Sequence, residues 1–127
     1  MNGQAVEEWV AKAEDNYLSA LTLSRRRRQP VPDVVCNQCQ QCVEKYLKAF
    51  LVRHNIYFPK IHDLIQLEEL AVPVNEEIHS LHELLLVLNP YGIDIRYPGL
   101  KASLEESREA VKAMKRLRHH LRLLLGL

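Results

Sequence analysis

Apolar residues recur at steps of three and four in four separate stretches of this chain, and alternation with a period of two nowhere survives beyond a few residues. A chain so patterned has to bury helical stripes against one another. The first stretch runs from about Gln4 to Arg26, with Val6, Trp9, Ala13, Tyr17 and Ala20 on one face. It ends in RRRRQPVPD, where cations suit the negative end of the helix dipole, Pro30 and Pro32 block continuation, and Asp33 can cap the second helix. That second stretch spans about Val34 to Asn55 and stops before Pro59, and a short helical turn comes next, near His62 to Leu70. A third long helix is expected from Asn75, an N-cap followed by Glu76 and Glu77, with Ile78, Leu81, Leu85 and Leu88 as its seam. NPYGIDIRYPG breaks it, because prolines and glycines at this density forbid a regular helix. Ser103 and Glu106 form a capping-box signature for the last helix, whose seam is Ala110, Met114, Leu117, Leu121 and Leu124. The pattern predicts an all-α fold: an antiparallel, up-and-down four-helix bundle with an extra short helix, residues 1–127 forming a single domain.

A chain of 127 residues buries enough surface to fold without a metal or a disulfide. Seventeen basic residues stand against sixteen acidic ones, a formal charge of +1, so nucleic-acid affinity has to come from local clusters. MNGQAVEEWV has neither the basic nor the apolar segment of a secretion signal, and no apolar run approaches the roughly 18 residues of a membrane span. Three cysteines make no disulfide framework. A cytoplasmic protein without a membrane partner is expected.

Those cysteines sit in CNQCQQCVEKYLKAF. With Gln41 placed at 0° and about 100° per residue, Val43, Tyr46, Leu47 and Phe50 fall within roughly 140 to 240°. Cys36 and Cys39 lie in the same arc and Cys42 on its edge, the positions of small buried hydrophobes. A C-x-x-C-x-x-C run can also begin an iron–sulfur site, but a straight helix spreads three thiolates over about 9 Å of axis. Core packing is expected, with no metal and no cofactor. On the opposite face Gln41, Glu44, Lys45 and Lys48 cluster within roughly 100°, a polar stripe that by itself suits a solvated face with helix salt bridges.

Several motifs add to this pattern. Trp9, Ala13 and Asp15 open the chain; Gln41, Glu44, Lys45, Lys48 and Ala49 form Q-x-x-E-K-x-x-K-A; His62, Asp63 and Leu64 form an H-D-L turn; Arg96, Tyr97 and Pro98 form an R-Y-P loop. In this order and at these spacings the chain resembles the HEPN domain family over nearly its whole length. The resemblance implies a helical-bundle homodimer and, in prokaryotes, frequent pairing with a separate minimal nucleotidyltransferase in a toxin–antitoxin module. Members of the wider family are metal-independent ribonucleases that use Arg-x(4–6)-His. Here Arg116 precedes His119 and His120 too closely, Arg108 lies too far from both, and Arg53 stands too far before His62. That departure favours a binding role over a reaction of its own.

A nucleotide needs cations for phosphate, a flat surface for its base and polar groups for its ribose. Lys45 and Lys48 can supply charge, Arg96 a bidentate fork, Tyr97 a stacking face, Gln41 or Glu44 polar contacts, and His62 a hydrogen bond. The structural alternative pairs Arg96 with Glu44 and packs Tyr97 under the loop. Two basic clusters remain: Arg25 to Arg28, and Lys112, Lys115, Arg116, Arg118, His119, His120 and Arg122 on the last helix. They suit either a solvated surface or one that binds RNA or an acidic partner. His54, His79 and His82 read as ordinary polar or partly buried residues. The expected function is a nucleotide- or nucleic-acid-binding protein acting with a nucleotidyltransferase. Its rivals are a ribonuclease toxin using Arg116 and His120, which share a helix face, and a scaffold whose stripe mediates dimerisation.

Overall fold

The computed structural model describes residues 2–93 and 97–127, with side chains from Ala5 onward. Among these residues every regular element is helical: α1 (Asn2–Ser24), α2 (Pro32–Arg53), α3 (Leu64–Ala71), α4 (His82–Leu88) and α5 (Leu104–Leu124). No helix among them is long and apolar enough to cross a membrane.

The caps follow local chemistry. Asp63 opens α3 by accepting from the backbone N–H groups of Ile65 and Gln66 at 2.8 and 3.2 Å. At α5 the capping box closes in both directions: Ser103 Oγ accepts from Glu106 N at 3.0 Å, and Glu106 Oε1 accepts from Ser103 N at 2.8 Å. Two expectations are corrected. The second helix begins at Pro32 and not near Val34, since a proline's fixed φ and missing N–H are tolerated in the first turn. Asp33 therefore lies in the first turn, not at the cap, and its carboxylate instead accepts from Ala102 N at 2.6 Å, tying the start of α2 to the start of α5.

The third long helix is the other correction. Asn75 does cap it, accepting from Glu77 N at 3.0 Å, but Glu76–Leu81 winds as a 3-10 helix, α4 lasts seven residues, and Asn89–Gly92 is again 3-10. Ser80 Oγ donates to Glu77 O at 2.6 Å, local competition for a carbonyl that the α-helical ladder would use. The seam survives because Ile78 and Leu81 are three apart and eclipse in a 3-10 turn, so Ile78, Leu81, Leu85 and Leu88 are all buried.

The core gathers around α2, which packs on α1, α5 and α3. Tyr46, Leu47, Phe50 and Leu51 meet Leu64 and Leu67 of α3, Leu85 and Leu88 of α4, and Met114, Leu117 and Leu121 of α5, all buried. Each such aliphatic or phenyl side chain contributes about 1.5 to 3 kcal/mol relative to exposure. Cys36, Cys39 and Cys42 are free thiols wholly inside this core. Desolvation pushes Cys36 and Cys42 up to about 12 and raises Cys39 as well. Arg53 donates to Leu125 O at 3.1 Å, so α2 and α5 begin together and end together. In contrast, α1 runs against α2, with Trp9 beside Phe58 and Asn16 beside Gln38.

Candidate functional site

The polar stripe of α2 does not face solvent. Glu44 and Lys48 are buried, Gln40 beside them is wholly so, and only Gln41 and Lys45 are half-exposed. The reason is that α1 and the loop before α3 cover this face of α2. The stripe survives burial by satisfying itself. Glu44 Oε2 accepts from Lys48 Nζ at 2.9 Å and pairs with His62 Nδ1 at 3.1 Å. Gln40 Nε2 donates to Glu44 Oε1 at 3.2 Å and to His62 O at 2.9 Å, while Gln41 Nε2 donates to Gln40 Oε1 at 3.0 Å. A buried charge persists when its partner and hydrogen bonds replace water, and Glu44 has both.

Lys48 Nζ also lies 5.5 Å from the Trp9 ring centroid and 5.8 Å from that of Phe58. The two rings meet edge to face, and their electron-rich faces add to the hold of Glu44 on the ammonium. Lys45 points elsewhere: its Nζ donates to Asn16 Oδ1 at 2.6 Å, and Asn16 Nδ2 donates to Gln38 Oε1 at 2.7 Å. Desolvation lowers the Lys45 pKa, with Glu44 opposing.

His62 stands at the rim, its side chain 52% exposed. Its backbone carbonyl is held by Gln40 and its Nδ1 by Glu44, while the turn behind it is fixed by Asn89 Oδ1, which accepts from Leu64 N at 2.8 Å. A ring held on one edge keeps its other nitrogen available to a ligand. Of the remaining candidates, Tyr97 is 60% exposed, and no hydrogen bond, ion pair or ring contact joins it to the stripe among the described residues. Arg96, together with its alternative pairing to Glu44, lies outside the described residues. The structure thus brings together Gln41, Glu44, Lys48 and His62, and turns Lys45 beside them toward α1.

Two further clusters escaped the sequence. Glu14 of α1 accepts a bidentate pair from Arg118 at 2.7 and 2.6 Å and the Tyr46 hydroxyl, to which Arg122 donates at 3.0 Å. The Arg118 hydrogen bond holds the Glu14 carboxyl below its ordinary range against the opposing effect of burial, and desolvation pushes Tyr46 up to about 12. Two members of the last helix's basic cluster are therefore internal ties. The second cluster is Glu68, buried on α3, with His82 Nδ1 2.7 Å from Oε1 and His79 Nδ1 3.4 Å from Oε2. Among the described residues Oε2 accepts no hydrogen bond, so His79 lies near it without bonding to it. His79 and His82 carry a three-residue step that was visible, but Glu68 lies eleven residues before His79, on another helix.

The family model of the HEPN domain matches residues 6–124. No curated protein and no solved structure matches the chain.

Proposed function

The chain belongs to the HEPN domain family, and from that membership we propose that it binds a nucleotide or nucleic acid, performs no reaction of its own, and acts as a homodimer with a minimal nucleotidyltransferase in a toxin–antitoxin-like module. The helices in this reading form an up-and-down bundle. The observation that carries the binding role is the Glu44 hub, which spends its charge on Lys48 and His62 and leaves the His62 ring fixed and half-exposed. Gln41 and His62 are then the contact rim, Glu44 and Lys48 support from behind, Lys45 adds charge from the α1 side, and Arg96 and Tyr97 add further contacts to the ligand. A preorganised rim binds at a lower entropic cost than mobile side chains.

The test is calorimetry with ATP and a short RNA in EDTA, with the same RNA resolved on a gel after incubation. Binding without new fragments is expected, and His62→Ala should weaken it about 5- to 10-fold, the loss of one hydrogen bond. Unchanged affinity in His62→Ala would remove the rim from the site, and cleavage products in EDTA would favour the ribonuclease reading through Arg116 and His120.

A further inference from the structure

A groove of about 590 Å³ opens where the end of α1 meets the first turns of α5. Arg25, Arg26 and Arg27 line one side and Arg108 the other, so two basic segments separated by some eighty residues of chain converge on one space. All four are exposed, and none of their guanidinium groups has an ion pair or hydrogen bond among the described residues. Ser24 and Ser107 also line it, but their hydroxyl protons are already donated to Leu21 O at 2.8 Å and Leu104 O at 2.7 Å. The donors left to a ligand are guanidinium N–H groups, five on each arginine. No carboxylate lines the groove among the described residues.

Helix electrostatics account for part of this. Cations just beyond the C-terminus of α1 complement its dipole, which suffices for Arg25 to Arg27. Arg108 is different, since it sits just past the first turn of α5, near the positive end of that dipole, where a cation gains nothing. Yet it faces the other three. Lys112, Lys115 and His119 continue from Arg108 at steps of four, three and four, all exposed on the same face of α5.

We infer that this groove is a phosphate-binding site, in which Arg25 to Arg27 and Arg108 clamp the phosphate groups of a nucleotide or of an RNA strand. Planar guanidinium forks match phosphate oxygens in pairs, and an anion relieves the repulsion among four unpaired cations. The site lies beyond the reading given above and does not depend on it: Trp9, beside the stripe, and Ser24, at the groove, are about 22 Å apart along α1.

Tripolyphosphate, ATP and a fluorescein-labelled ten-nucleotide RNA would be titrated into the full chain at low salt. Variants would be Arg27→Ala/Arg108→Ala, Arg27→Lys/Arg108→Lys and Lys112→Ala/Lys115→Ala, each checked for an intact circular dichroism spectrum. The alanine pair should lose at least about 10-fold in tripolyphosphate affinity, and the lysine pair should lie between it and wild type because charge is kept while the fork is lost. For RNA, the slope of log affinity against log salt should fall by about 1.4 in the alanine pair, at about 0.7 for each phosphate of a single strand that is no longer neutralised. If Lys112→Ala/Lys115→Ala weakens RNA alone, the ligand is a strand; if RNA is indifferent to it while ATP follows the arginines, the ligand is a free nucleotide. Absence of tripolyphosphate binding in wild type, or wild-type affinity in the alanine pair, would overturn the site. A His62→Ala control separates the two sites, because failure at the rim leaves the tripolyphosphate result standing.

Discussion

Glu44 holds its place because three neighbours share its two oxygens, and Lys48 because one carboxylate and two aromatic rings replace its water. The members of such a buried pair are unequal to their sum. Replacing Glu44 by Gln leaves the Lys48 ammonium without a counter-charge among aromatic rings, and breaking a buried pair in this way costs about 3 to 5 kcal/mol. Adding Lys48→Met removes the stranded charge and lays a flexible apolar chain against Trp9 and Phe58. Urea unfolding should therefore find Glu44→Gln/Lys48→Met more stable than Glu44→Gln alone, a coupling that a double-mutant cycle would measure. Equal or lower stability of the double variant would mean that the ion pair contributes little of what holds this face together.

Between elements, α2 packs closely against the 3-10 turn after α4. A Cβ on Gly92 would come within 2.7 Å of Gln40 Nε2 and 2.9 Å of its Cδ. Gln40 cannot swing aside, because its amide serves Glu44, His62 and Gln41 together. Gly92→Ala should therefore cost about 1 to 3 kcal/mol, the range for overpacking, with a lower midpoint in thermal melts. Contacts of this kind mark the boundary of what the sequence discloses. Helix number, the Asn75 cap, the Ser103–Glu106 box and the cysteines on an apolar arc were legible, since each depends on residues within a few positions of one another. The inward turn of the polar stripe was not, because the wheel of α2 says which residues share a face but not what covers it. The covering groups, Trp9, Asn16, Phe58 and His62, come from other elements. The breakage of the expected third helix was hidden similarly, its apolar steps fitting a 3-10 turn as well as an α-helix.

For the whole molecule, Glu14 and His82 contribute to stability with opposite dependence on pH. Glu14 ties α1 to α5 through Arg118 and has a lowered folded-state pKa, so its contribution is present above the ordinary carboxylate value of 4.5 and is lost as pH falls below that value through the folded pKa. His82 has the opposite sign: its hydrogen bond to Glu68 raises its pKa, so its contribution is complete below 6.5 and disappears as pH rises through the folded value. Denaturant midpoints measured across the pH range should flatten on the acid side in Glu14→Gln and on the neutral-to-basic side in His82→Asn, each leaving the other limb unchanged. The burial of all three thiols in the central helix has a kinetic consequence. Since Cys36, Cys39 and Cys42 share one enclosed core, a modifying reagent can reach them only when α2 parts from its neighbours. With excess reagent, intact-mass spectra should show chains carrying no label or three labels, and the rate of conversion reads the opening of the core around α2. The helix that looked like the start of a metal site is thus a clock for unfolding, and singly labelled chains would reveal that one end of α2 frays alone.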